Sequence, residues 1–212
     1  MVRCDMRMGM KLNSAVIGLL AAFWLAEPAW ALEFTADQIV KSEGRTRKTV
    51  MYYRDNMWRL EHHDLGPVNV TIVRKDKQLT WLLLSRMKHF KTVPYDPAMA
   101  PRIGEKLDGE TSREEIGTEV FDGHPTILYE VTTKTAEGTE QYYQWLATDL
   151  RFPVKLAKKD ASWIVEYRHL KMRAVSDYLF QLPVNFQPLE SYDQEQPTES
   201  KPEQQPKSKP GM

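Results

Sequence analysis

Cysteine is almost missing from this 212-residue chain: Cys4 is the single one. Disulfide staples, Cys-x-x-Cys redox pairs and thiolate metal sites are therefore excluded as organising devices. Net charge is missing too, because 29 Lys and Arg balance 29 Asp and Glu. A broad basic field for nucleic acid is not what such a chain offers. Glycine is sparse, with ten residues, and none forms a phosphate-binding loop. His-Glu-x-x-His and Gly-x-Ser-x-Gly are absent as well, which removes the common hydrolase signatures. What is present is a 42% hydrophobic share and six tryptophans, a composition suited to a β-rich domain with a real core.

The two ends read differently from the middle. Arg3, Arg7 and Lys11 precede an apolar run over 12–25, and Ala29-Trp30-Ala31 follows it. That order is a secretory signal peptide, with cleavage expected after Ala31. The alternative, a membrane anchor, is disfavoured because the run is shorter than a span of roughly 20 residues. Cys4 would leave with the signal, and its place before the apolar run does not fit a lipidated cysteine. The expected destination is the periplasm, with the cell surface or secretion as the alternative. Residues 190–212 are rich in Pro, Gln, Glu, Lys and Ser. They lack the apolar surface needed to offset chain entropy and are expected to form a disordered tail. The expected division is 1–31 signal peptide, 32–189 folded domain and 190–212 tail.

Two-residue alternation and short turn signals dominate 32–189. Strands are expected over 34–42, 49–54, 57–63, 69–74, 78–85, 89–94, 115–121, 126–133, 139–148, 153–158 and 163–173. Asp55-Asn56 and Asp122-Gly123 are hairpin turn pairs. The result is an antiparallel meander of about ten or eleven strands, which must curl or close. One segment interrupts it. Residues 96–114, with Pro97 and Pro101, are expected to form a long connection with a short helix near 97–106. Such a segment is either a lid over a binding site or a plain crossover.

Several strands are apolar on one face and partly apolar on the other. Trp58, Leu60 and His62 share a face, as do Leu79, Trp81 and Leu83, while Leu82 and Leu84 make the second face apolar too. Tyr142 alternates with Tyr143, and Trp163, Val165 and Tyr167 with Ile164 and Glu166. This pattern suits a strongly curved sheet around an apolar hollow. The hollow is either packed shut by side chains or open to an apolar ligand. Candidate lining residues are Tyr52, Trp58, Leu60, Trp81, Leu83, Tyr129, Tyr142, Trp163 and Val165.

The stretch YYRDNMWRLEHHD ends in Glu61, His62, His63 and Asp64, which invites a metal or a proton relay. On a strand, His62 and His63 point to opposite faces, so one ion would not take both. No metal, cofactor or catalytic residue is expected. The basic pieces at 45–48, 74–77 and 86–91 read as turns and edge protection, with anionic headgroups as an alternative partner.

Several short motifs together resemble a known superfamily. They are the opening strand FTADQIV; Met57-Trp58-Arg59-Leu60-Glu61; Ile72 to Trp81 with Asp76 at its turn; Trp145 to Pro153 followed by PVKL; and the ending LFQLPVNF at 179–186. The chain is similar in these to the periplasmic lipoprotein carriers and receptors of the Lol pathway (LolA/LolB-like). Arg59, Asp76 and Trp81 fall on the family's arginine, turn aspartate and tryptophan. Lys77 and Asn185 stand where the family has glycine. The resemblance implies a mainly β fold: an unclosed antiparallel barrel of about eleven strands with one or two short helices over its hollow. It also implies a periplasmic, non-catalytic binding protein for lipid, an acyl chain or an acylated protein; the protein is expected to be a monomer. Outer-membrane lipid or lipoprotein traffic is the process implied. The alternative is an envelope interaction or sensor module whose hollow is ordinary core and whose partner is another protein. Nucleic acid is not an expected partner, and no transmembrane span is expected in the mature chain.

Overall fold

The computed structural model describes residues 32–64, 66–136 and 138–189. The expected signal peptide and tail lie outside the described residues.

Each expected strand of the meander is present. They are β1 (Glu33–Ser42), β2 (Arg45–Arg54), β3 (Met57–His62), β4 (Val70–Arg74), β5 (Leu79–Leu84) and β6 (His89–Pro94). Then follow β7 (Glu110–Phe121), β8 (His124–Thr135), β9 (Gly138–Ala147), β10 (Phe152–Lys158) and β11 (Trp163–Met172). A two-residue strand, β12 (Gln187–Pro188), is added by the chain's last described segment. The turn chemistry explains the hairpins. Glu43-Gly44 and Asp122-Gly123 both have two consecutive positive φ angles, 53° and 70° and then 51° and 88°. That is the mirror-image turn whose twist matches the strands it joins.

The strands form one sheet in the order β12-β6-β5-β4-β3-β2-β1-β11-β10-β9-β8-β7. Two meanders, β1–β6 and β7–β11, are joined where β1 pairs with β11 over Phe34↔Met172 to Ser42↔Trp163. The sheet curls but does not close: β7 pairs with β8 alone, and the far edge at β6 is met by β12 running parallel to it.

Joining the outermost strands of the two meanders requires a long connection, and residues 95–109 supply it. The helix expected near 97–106 is reduced to a single 3-10 turn, Pro97–Met99, capped by Asp96, whose Oδ1 accepts from the Ala98 N–H at 2.9 Å. Pro101 explains the brevity, since the residue before proline is pushed out of helical geometry; Ala100 has φ −63° and ψ 131°. The connection ends at Gly109, with φ 70°, where a Cβ would lie 2.4 Å from the Lys134 carbonyl oxygen. Only glycine allows that approach, and it lets the Gly109 carbonyl accept from the Lys134 N–H at 2.8 Å. Strand β7 consequently begins at Glu110, five residues before the expected start.

Side chains divide between two apolar layers. The concave face holds the main core, built on Phe34, Met51, Trp58, Leu156, Val165 and Tyr167. Its aromatic rings interlock: Phe34 stacks on Tyr53 at 5.1 Å and meets Phe152 edge-on at 4.9 Å. Burial of side chains this large supplies roughly 1.5–3 kcal/mol each before chain entropy is counted. The smaller layer lies on the convex face, where Ile72, Leu83 and Trp81 are covered by Leu182 and Phe186 of the C-terminal segment.

Candidate functional site: a roofed hollow

The concave face is not filled completely. A cavity of about 470 Å³ lies between the sheet and residues 98–102 of the connection. Its sheet wall is formed by Val40, Met51, Trp58, Leu60, Trp163, Val165 and Tyr167, with the polar Gln38, Arg47 and Lys158 beside them. Register explains the wall. Val40 pairs with Val165 on one side and with Arg47 on the other, and Met51 pairs with Leu60. Directly paired residues share a face, so these side chains all rise into the same concavity. A second cavity of about 300 Å³ lies beyond the roof, lined by Ile103, Leu107, Thr133, Glu140 and Tyr142 among others.

The connection is held at its start by the Tyr95 N–H, which donates to the Gln78 carbonyl at 3.1 Å, and more densely at its β7 end. Arg113 of β7 is directed onto the concave face, where its Nε and Nη2 donate to Glu110 at 2.8 and 2.7 Å. Its Nη1 donates to Gln144 Oε1 at 2.8 Å and its Nη2 to the Glu105 carbonyl at 2.8 Å. Gln144, fully buried, passes a hydrogen bond on to the Gly104 carbonyl at 3.2 Å. Glu110 also accepts from the Leu107 N–H at 3.0 Å. The Arg113 guanidinium holds the Glu110 carboxyl below its ordinary pKa. Residues 97–101, by contrast, bond only to 96 and 97 among the described residues. Met99 is 38% exposed above the cavity.

Polar groups stand around the apolar wall. Arg102 Nη1 donates to the Tyr142 hydroxyl at 2.5 Å, and its guanidinium lies 5.4 Å from the Trp163 ring centre. Tyr142 in turn donates to Glu140, which accepts from Lys158 Nζ at 2.6 Å. The Lys158 hydrogen bond holds the Glu140 carboxyl below its usual value. Tyr167, fully buried, has its phenol pushed up to about 12 by burial, so it stays neutral at physiological pH.

Of the residues singled out from sequence, Trp58, Leu60, Trp163 and Val165 line the larger cavity. Tyr142 lines the smaller one. Tyr129 is on the concave face but sits beneath the Arg113 guanidinium, 4.6 Å from its ring centre, and lines neither. Tyr52, Trp81 and Leu83 are on the convex face. The register Tyr52↔Arg59↔Ile72↔Trp81 fixes this, and the C-terminal segment covers Trp81 and Leu83 there. Val40, Met51, Tyr167, Arg47 and Arg102 were not singled out. Tyr167 shares a strand face with Trp163 and Val165 and was the most accessible of these to pattern reading. Arg102 lies in a connection whose path depends on strand order.

The resemblance motifs resolve into a convex-face clamp. Arg59 donates to Glu61 at 2.8 Å and to the Leu179 carbonyl at 3.4 Å. Asp76 accepts two hydrogen bonds from Arg74, at 2.8 and 2.6 Å, and Arg74 also donates to the Phe180 carbonyl at 3.1 Å. Arg54 donates to the Val175 carbonyl and to Asp177. Three arginines therefore grip 175–180 against the outside of the barrel. His62 is spent on Thr71, with Nε2 and Oγ1 2.9 Å apart. Among the described residues no three His, Cys, Asp or Glu side chains converge as metal ligands. None of the described helices is long and apolar enough to cross a membrane.

The architecture is that of an unclosed antiparallel β-barrel with a connection drawn across its mouth. No protein-family model and no curated protein sequence matches the chain. Among solved structures, MucB matches with a TM-score of 0.51 at 13% identity, over 73% of this chain and 58% of MucB. An uncharacterized conserved protein from Thermus thermophilus matches at 0.49 and 12% identity, over 76% of this chain and 91% of that one. A LolA superfamily protein from Nitrosomonas europaea matches at 0.34 and 8% identity, over 73% of this chain and 91% of that one. The likeness to MucB shows a shared fold. The present chain spans a little over half of MucB's length.

Proposed function

We propose that this chain is a non-catalytic binding protein of the periplasm that holds an apolar chain beneath the roof formed by 98–102. The observation that carries the reading is the cavity of about 470 Å³ walled by Val40, Met51, Trp58, Leu60, Trp163 and Val165. Ligand sites of proteins typically span about 300–1,000 Å³ and have mostly apolar walls with a few polar groups. This cavity lies in the lower half of that range and suits one acyl chain. Several chains of an acylated protein would require the roof to lift, and the sparse bonding of 97–101 is consistent with that. A role in outer-membrane lipid or lipoprotein traffic follows from pairing such a cavity with the expected export signal. Lipid extraction of the purified protein, with native mass spectrometry before and after, tests the reading. A releasable single-chain lipid, or uptake of one added chain per protein, supports it. Protein that carries none and takes up none refutes it.

A second reading is favoured by the free edge of β7. This strand has twelve residues, pairs on one side only, and leaves Ile116 and Val120 46% and 72% exposed. An open edge of that length invites strand addition by an envelope protein. Photocrosslinkers at Ile116 and Val120 would capture such a partner, and their silence in cells would remove this reading.

A further inference from the structure

The wall of the larger cavity mixes apolar and polar side chains, and its charged lining is one-signed. Arg47, Arg102 and Lys158 border it, and no aspartate or glutamate does. Lys158 is answered by Glu140, 2.6 Å away. Arg47 and Arg102 make no ion pair among the described residues. Arg102 is held by the Tyr142 hydroxyl and stacks its guanidinium over Tyr142 and Trp163, at 5.3 and 5.4 Å from the ring centres. Arg47 is exposed and sits beside Val40 through its β1 pairing, at the rim of the apolar wall.

Both guanidinium groups are exposed to solvent at the cavity, and the planar guanidinium fork matches carboxylate and phosphate oxygens. Arg54, Arg59, Arg74, Arg113, Arg151 and Arg168 have carboxylate partners, whereas Arg45, Arg86 and Arg173, like Arg47 and Arg102, make no ion pair among the described residues; only Arg47 and Arg102 of these five border the cavity. From the one-signed charge of the cavity lining we infer that the ligand is a single-chain anionic amphiphile, its chain against Trp58, Leu60 and Val165 and its head between Arg47 and Arg102. This inference rests on the apolar-chain reading above and adds the head. The head's chemistry is an oxyanion, which a free fatty acid or a lysophospholipid phosphate would equally supply.

The test is isothermal titration of the full protein, stripped of lipid, with four probes: oleate, lysophosphatidylglycerol, lysophosphatidylcholine and oleyl alcohol. Oleate or lysophosphatidylglycerol is expected to bind about tenfold or more tighter than its neutral or zwitterionic counterpart, as charge-assisted hydrogen bonds would give. Whichever of the two binds tighter identifies the source of the head. Arg47→Gln, at an exposed position, is expected to erase most of that preference, read as the ratio of oleate to oleyl alcohol affinity. Arg102→Lys keeps the charge but loses the fork, and is expected to weaken both anionic probes. Equal affinity for oleate and oleyl alcohol overturns the anionic head and leaves the apolar-chain reading standing. An anionic preference that survives in Arg47→Gln and Arg102→Lys also overturns it. No binding of any probe overturns both.

Discussion

Arg113 and Gln144 lie on β7 and β9, on the concave face, and the guanidinium donates to the amide oxygen at 2.8 Å. Through that contact the half-buried Arg113 and the buried Gln144 hold two carbonyls of the connection, those of Glu105 and Gly104. The connection is thereby fixed at 104–107 and left sparsely bonded at 97–101.

Arg113→Met should loosen the fixed end. It leaves Glu110 and Gln144 with unanswered polar atoms, a loss expected to cost roughly 1.5–3 kcal/mol. A urea titration should show a lower midpoint, and amide exchange should accelerate at 103–107 more than in β1 or β11. Unchanged exchange there would mean that the anchor is not energetic.

Filling the hollow should separate binding from folding. Val165→Trp, on the cavity wall, is expected to block chain uptake while costing about 1–3 kcal/mol by overpacking. Trp81→Leu, on the convex face, should lower stability and leave uptake intact. Equal binding losses in both variants would place the ligand somewhere other than the concave cavity.

That contrast also shows what the sequence could and could not convey. Strand positions were legible because turn pairs such as Asp55-Asn56 and Asp122-Gly123 punctuate the alternation. The face of Trp81 and Leu83 was not, because β5 carries Thr80, Leu82 and Leu84 on its other side and is apolar both ways. Only the register with Ile72 and the cover from Leu182 and Phe186 decide it. The pairing of β1 with β11 joins residues over a hundred positions apart, and local pattern does not encode it. Since that pairing sets where 95–109 must run, the roof and Arg102 were hidden with it.

His62 gives the fold a pH dependence. Burial, beside the Thr71 hydroxyl, holds its imidazole pKa below the ordinary 6.5. The unfolded chain therefore binds a proton at higher pH than the folded one does. Stability from this group is present above about pH 6.5 and is lost as pH falls below that value. Denaturant midpoints at pH 8, 6.5 and 5 should fall in that order, and His62→Gln should flatten the drop between the last two. A drop of the same size in the variant would assign it to other groups.

The convex clamp should be structural rather than ligand-binding. Phe180 is 1% exposed beneath the Arg54 guanidinium. Phe180→Ala is expected to cost about 3–5 kcal/mol, read as a lower thermal midpoint. Truncation after Leu189 should leave that midpoint where it was. If the truncation lowers it substantially, the folded unit extends past 189.

The central claim, an acyl chain lying against Trp58 and Trp163, is tested most directly by quenching with a bromine-labelled fatty acid. Bromine quenches indole emission only on close approach, so the lost emission reports which tryptophans the chain touches. The account predicts saturable quenching in the native protein at one chain per molecule. It also predicts that quenching largely disappears in Trp58→Phe/Trp163→Phe while Trp81→Phe retains it. Quenching that persists without Trp58 and Trp163, or a native protein that is not quenched at all, would contradict it.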